Sequence, residues 1–160
     1  MDDLLSKSNQ LERQEMVEAY QKEITKLLPY VTWLSDKRGQ YLATTFKEEG
    51  IAESSVTFPV YDGTLLNFIK VLSATNLMNK NYLYDYRKYR IKEGEEMDFI
   101  KRSELRDIPV LCSFLSRYAM RGRTKGRVWA EGVANGVYLE SILKIQELTS
   151  KYDIRPKTGL

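Results

Sequence analysis

Apolar residues recur at helical spacing along most of this chain, and the breaks in that spacing divide it into segments. Across 11–34, Val17, Tyr20, Ile24, Leu27, Leu28, Val31 and Leu34 fall at i, i+3, i+4 and i+7 intervals, which lines them along one face of an amphipathic helix. Glu12, Glu15, Glu18, Lys22, Glu23 and Lys26 take the polar face. Pro29 removes an amide donor, so a kink or a split is expected there. Residues 1–10 are expected either as a short preceding helix or as a flexible arm. From 36 to 61 the helical period is lost. Gly39, Gly50 and Pro59 punctuate this stretch, and Val56, Phe58 and Val60 alternate with Thr57 and Pro59, as in a short extended piece. The expectation is a loop, with a small hairpin pairing 41–46 with 55–60.

Helical spacing then resumes. Asp62 is a fitting N-cap, and Leu65, Phe68, Ile69, Leu72 and Leu77 make an apolar stripe over 63–78. An exit turn is expected at 76–81, followed by a helical stretch over 82–89. The acidic run 93–98, which contains Gly94, reads as a solvated loop. Ser103 or Asp107 caps the next helix, and Pro109 is tolerated in its first turn, where the lost donor has no helical partner. Val110, Leu111, Phe114, Leu115 and Tyr118 would face the core. Gly122 and Gly126 bracket a turn, 127–134 is helical through Val128, Trp129 and Val133, and Asn135-Gly136 predicts a left-handed C-cap. A final helix over 137–148 uses Tyr138, Ile142, Ile145 and Leu148. The tail beyond Tyr152, with Pro156 and Gly159, is expected to be flexible. No internal repeat interrupts this order.

The fold class expected is therefore all-α. One helical domain over 1–152 carries five or six helices, with a short hairpin or irregular insertion near 41–60 and a tail at 153–160. Its core draws on Val17, Ile24, Leu27, Phe68, Leu72, Leu111, Leu115, Trp129, Ile142 and Ile145. At 160 residues with 42% hydrophobic and 29% charged side chains, the chain can bury such a core without disulfides or metals.

Composition removes several chemistries. There is no histidine, so Ser-His-Asp and Cys-His catalysis cannot be assembled, nor can histidine-ligated metal sites. The one cysteine, Cys112, lies in the apolar run 108–115 and reads as a small buried hydrophobe rather than a nucleophile. A lone cysteine fits a reducing compartment. Asp2 and Asp3 stand where a secretory signal would be positive, and no apolar run reaches the length of a membrane span. A cytoplasmic protein without membrane contact is expected, and no cofactor is implied.

Charge is unevenly spread. The net value is +3, yet residues 1–60 hold 7 basic and 10 acidic side chains, 61–100 hold 6 of each, and 101–160 hold 12 basic and 6 acidic. Such asymmetry points to an anionic partner, or to two copies meeting acidic face to basic face. The densest basic stretch is Arg117, Arg121, Arg123, Lys125 and Arg127. Its Gly122-to-Gly126 spacing leaves three residues between the glycines, where a nucleotide-hydrolysing phosphate loop needs four followed by Lys-Ser/Thr, so that motif is rejected. Backbone amides and arginines there could still hold a phosphate or a carboxylate; the plainer account is a solvated turn whose arginines pair with Glu131 or another helix. Tyr82, Tyr84, Tyr86 and Tyr89, interleaved with Arg87, Lys88 and Arg90, match the make-up of single-strand binders. The competing account buries Tyr82, Tyr86 and Tyr89 at helical spacing and leaves Tyr84 for solvent or a partner. Glu93, Glu95, Glu96 and Asp98 lack the spacing of a calcium loop.

Phe58-Pro59-Val60-Tyr61, Leu66-Asn67-Phe68-Ile69, Asn76-Leu77-Met78 and Asn81-Tyr82, with Gly126, Trp129-Ala130-Glu131, Asn135-Gly136 and Ile142-Leu143 further on, resemble a bacterial, mainly helical family catalogued as a domain of unknown function. The likeness spans about 30–148. Where that family's turn reads Arg-Gly-Glu-Arg-Phe, this chain has Arg121-Gly122-Arg123-Thr124-Lys125, losing an acid and an aromatic and gaining charge. The resemblance implies a helical domain and carries no activity.

The expected function is a non-enzymatic binding protein that contacts a protein or nucleic acid through Arg117, Arg121, Arg123, Lys125, Arg127, Tyr84, Arg87 and Lys88. The alternatives are a small homodimeric structural or regulatory subunit and, third, an enzyme using carboxylates with lysine or arginine on a phosphorylated substrate.

Overall fold

Pro29 divides the first long amphipathic stretch as its chemistry requires. In the computed structural model, helix α1 (Asp2–Thr25) gives way to a 3-10 turn at Leu28–Tyr30 that holds the proline in its first positions, and α2 (Val31–Lys37) follows. The residues described are 2–40, 44–46, 58–60, 63–125 and 127–153. Strands β1 (Thr44–Phe46) and β2 (Phe58–Val60) pair antiparallel, with Thr44 opposite Val60 and Phe46 opposite Phe58. Among the described residues this pairing covers three residues a side. Asp62, expected as a helix cap, lies outside them.

Six further helices complete the chain: α3 (Gly63–Ala74), α4 (Tyr82–Lys88), α5 (Glu96–Arg102), α6 (Ile108–Arg121), α7 (Arg127–Ala134) and α8 (Val137–Lys151). The described residues thus hold eight α-helices rather than five or six. The additions come from the division at Pro29, which makes two helices of the first stretch, and from the acidic run: only its first half is loop, and α5 starts at Glu96 because Glu96, Phe99 and Ile100 share one buried face. Asp107 stands at the start of α6 but turns back, accepting the Glu104 backbone N–H at 2.8 Å in a reciprocal capping box around the preceding 3-10 turn.

Helix α6 is the centre of the molecule. It packs on α3, α4, α7 and α8, while α8 also meets α1, α2, α5 and α7. Enclosure on nearly all sides leaves α6 no solvated face, so Ser113, Ser116 and Arg117 are buried beside Leu111, Phe114, Leu115 and Tyr118. The two serines receive the segment before α4: Ser116 Oγ accepts the Asn79 backbone N–H at 2.7 Å, and Ser113 Oγ accepts Asn79 Nδ2 at 3.0 Å and donates to Asp85 at 2.6 Å. Every expected core residue is buried except Trp129, which is half-buried against the core.

Candidate functional site

The two basic stretches come from different places in the fold. Arg87 and Lys88 close α4; Arg117 and Arg121 lie in the last turns of α6; Arg123 and Lys125 lie in the turn that follows, and Arg127 opens α7. That turn is built around one close approach. The Trp129 indole lies on Gly122, where any side chain would overlap it, and donates through Nε1 to the Ala119 carbonyl at 2.8 Å. At the next corner Gly136 takes the left-handed conformation, φ +79, as expected, with the Arg38 guanidinium packed on it and paired to Glu140 at 2.7 Å.

Arg117 is not a surface residue. Its side chain is 2% exposed, because α4 and the loop that follows it close over that flank of α6. The guanidinium carbon stands 5.4 Å from the Tyr86 ring centre and 5.0 Å from that of Tyr118, where ring faces stabilise a cation. Nη2 reaches Glu93 Oε1 at 2.6 Å, and Arg121 Nη1 lies 3.6 Å from Glu93 Oε2. One carboxylate from the loop between α4 and α5 therefore takes two of the five cations. Arg123, Lys125 and Arg127 are exposed, and none of the three makes an ion pair among the described residues.

Burial works against the charged form of Arg117, but pairing with Glu93 and the nearby phenols of Tyr86 and Tyr118 outweigh it and raise its pKa. Glu93 is held below the ordinary carboxylate value, first by its contact with Arg117, against some desolvation, and then by the fields of Arg117, Arg121 and Lys125. Burial pushes the phenols of Tyr86 and Tyr118 upward, and Glu96 adds to it.

Glu96 is the residue sequence reasoning misplaced. Expected in a solvated acidic loop, it is fully buried, and its Oε2 accepts the Tyr86 hydroxyl at 2.9 Å. Its Oε1 has no hydrogen-bond partner among the described residues, nor have the Tyr138 hydroxyl, Ser141 Oγ and the two terminal nitrogens of Arg117, of which Nη2 meets Glu93 as an ion pair without hydrogen-bond alignment. The signal was present: Glu96 precedes Phe99 and Ile100 by three and four residues, the spacing of one helix face. The run does not converge on a metal. Glu93 turns to the arginines, Glu96 turns inward, and Glu95 and Asp98 are exposed.

The tyrosine row divides differently from its spacing. Tyr86 is buried, Tyr82 is half-buried, and Tyr89 stacks edge-on against Phe99 yet stays exposed because α4 ends one residue before it. Tyr84 is 65% exposed, and Arg87 and Lys88 are exposed with it. Cys112 is buried and free, with its thiol pushed up to about 12 by desolvation, which leaves it without nucleophilic thiolate.

No protein family, curated protein or solved structure matches the chain. No helix among the described residues is long and apolar enough to cross a membrane.

Proposed function

We propose that this chain is a non-enzymatic binding protein that contacts an anionic macromolecule, protein or nucleic acid, through the basic surface around the α6–α7 turn. The observation that carries the reading is the state of Arg123, Lys125 and Arg127, which stand exposed and make no ion pair among the described residues, while Glu93 occupies Arg117 and Arg121 and feels Lys125 only through its field. Exposed cations on a turn fixed by the Trp129–Gly122 contact present positive charge at low entropic cost to a partner. Tyr84, Arg87 and Lys88 extend the chemistry with an exposed ring and two more cations. Membership of the bacterial helical family of unknown function belongs to the same proposal, as does a cytoplasmic setting, which suits the lone reduced Cys112.

Fluorescence anisotropy with a labelled single-stranded oligonucleotide, and separately with polyglutamate, tests it at low salt, where charge contacts are strongest. The wild-type chain binds one of the two probes. Arg123→Glu with Lys125→Glu, both exposed and so harmless to the core, weakens that binding by at least about tenfold. Absence of binding to both probes removes the reading; loss confined to one probe names the partner class.

A further inference from the structure

At Arg117 this basic surface meets the interior. The side chain is charged, almost wholly enclosed, and flanked by two aromatic rings, yet Nη1 donates to nothing among the described residues. Its counter-ion is no buried partner. Glu93 is 52% exposed and sits on the short connection between α4 and α5. A buried arginine that depends on a surface carboxylate is arranged like a binding site with a ligand group in place.

We propose that Glu93 is that internal substitute: the Arg117–Arg121 pair is a phosphate site, filled by the protein's own carboxylate until a nucleic-acid phosphate displaces it. The inference rests on the binding function argued above and names its recognition element. Two arginines each meeting a different oxygen of one anion form a site for any group with two anionic oxygens. The second contact is loose at 3.6 Å. The carboxylate has both oxygens engaged, yet among the described residues neither terminal nitrogen of Arg117 is hydrogen-bonded and Nη1 has no ion-pair contact either, whereas a tetrahedral phosphate brings a further oxygen to the guanidinium. The surroundings favour a polyanion over a lone acid: Lys125 acts on Glu93 through its field, and exposed Arg123 and Arg127 follow in the same turn. Displacement needs only that the Glu93 side chain swing outward, since half of it already faces solvent.

The competing account makes Glu93 a plain structural counter-ion. A titration of labelled single-stranded oligonucleotide with the full chain separates the two. If the uncovered state is populated at roughly a tenth, Glu93→Gln tightens binding about tenfold, because the apparent affinity of a self-blocked site is reduced by its open fraction. Glu95→Gln makes the same charge change on an exposed neighbour that has no ion pair among the described residues, and should gain about twofold or less. Glu93→Asp keeps the charge but shortens the reach; it too tightens binding, and it serves if the glutamine variant fails to fold. Adding Arg121→Gln to Glu93→Gln cancels the gain, and millimolar inorganic phosphate competes better against Glu93→Gln than against wild type.

Equal effects of Glu93→Gln and Glu95→Gln, or unchanged binding by Glu93→Asp, overturn the proposal while leaving the basic-surface reading standing. A Glu93→Gln chain that loses thermal stability without gaining affinity overturns it likewise. Preferential uptake of polyglutamate by Glu93→Gln overturns the phosphate assignment. Failure of both wild type and Glu93→Gln to bind the oligonucleotide or polyglutamate overturns both readings.

Discussion

Arg117 and Glu96 carry charge-bearing groups into an apolar bundle, where each needs partners to offset lost hydration. Arg117 finds two ring faces and Glu93; Glu96 finds the Tyr86 hydroxyl. The pairing fixes how stability should depend on pH. Glu93 titrates below its ordinary range because of Arg117, and buried Glu23 does so because of its hydrogen bond from Lys26, opposed by desolvation. A carboxyl group depressed in the folded state adds stability that is fully present above its unfolded pKa and is lost as pH falls through the folded one. The melting temperature should therefore fall as acid protonates these two groups, and Glu93→Gln should flatten part of that acid limb. A melting series from neutral to acidic pH, wild type against Glu93→Gln, checks this; identical acid limbs would show that the ion pair adds no stability.

Elements owe their ends and docking to single small residues. The α6–α7 turn closes because Gly122 has no Cβ, which lets the Trp129 indole lie across it and donate to Ala119. The turn between α7 and α8 closes through Gly136, beneath Arg38, while Gly39 donates to the Ala134 carbonyl at 2.8 Å. Gly122→Ala should force the indole off its seat, costing roughly 1–3 kcal/mol as overpacking does. A lower urea midpoint with shifted tryptophan emission is the expected result; an unchanged midpoint would show that the turn yields without cost. Helix α4 shows the limit of periodicity. Its tyrosines sit at helical spacing, but a seven-residue helix has too little face to bury three rings.

Across the whole molecule, α6 and α8 tie the two ends of the sequence into one core: α8 packs on α1 and α2 from the start of the chain and on α5, α6 and α7 from its second half. One hydrophobic cluster includes Val17 and Ile24 together with Ile142 and Ile145. Unfolding should accordingly be a single cooperative transition. Midpoints from far-ultraviolet circular dichroism and from the emission of Trp33 and Trp129 should coincide, whereas separated midpoints would mean that the α1–α2 segment melts on its own.

Periodicity and local chemistry are properties of the chain itself, and they were enough to place most helices, the split at Pro29, the left-handed Gly136, and nine of the ten named core residues. These features depend on backbone geometry and on one face of a helix, both of which nearby residues decide. Which polar side chains lie inside was settled mainly by packing, with only the spacing of Glu96 to Phe99 and Ile100 giving a local sign of it. Arg117 lies one helical turn before the more exposed Arg121, with exposed Arg123 beyond it, and Glu96 directly follows the surface acid Glu95; their burial follows from α6 being enclosed on nearly all sides and from α5 turning its acidic residue inward. The partner of Arg117 lies twenty-four positions upstream, at Glu93, a separation over which no local pattern operates. Whether a cation faces solvent or an internal acid is decided only when distant helices meet.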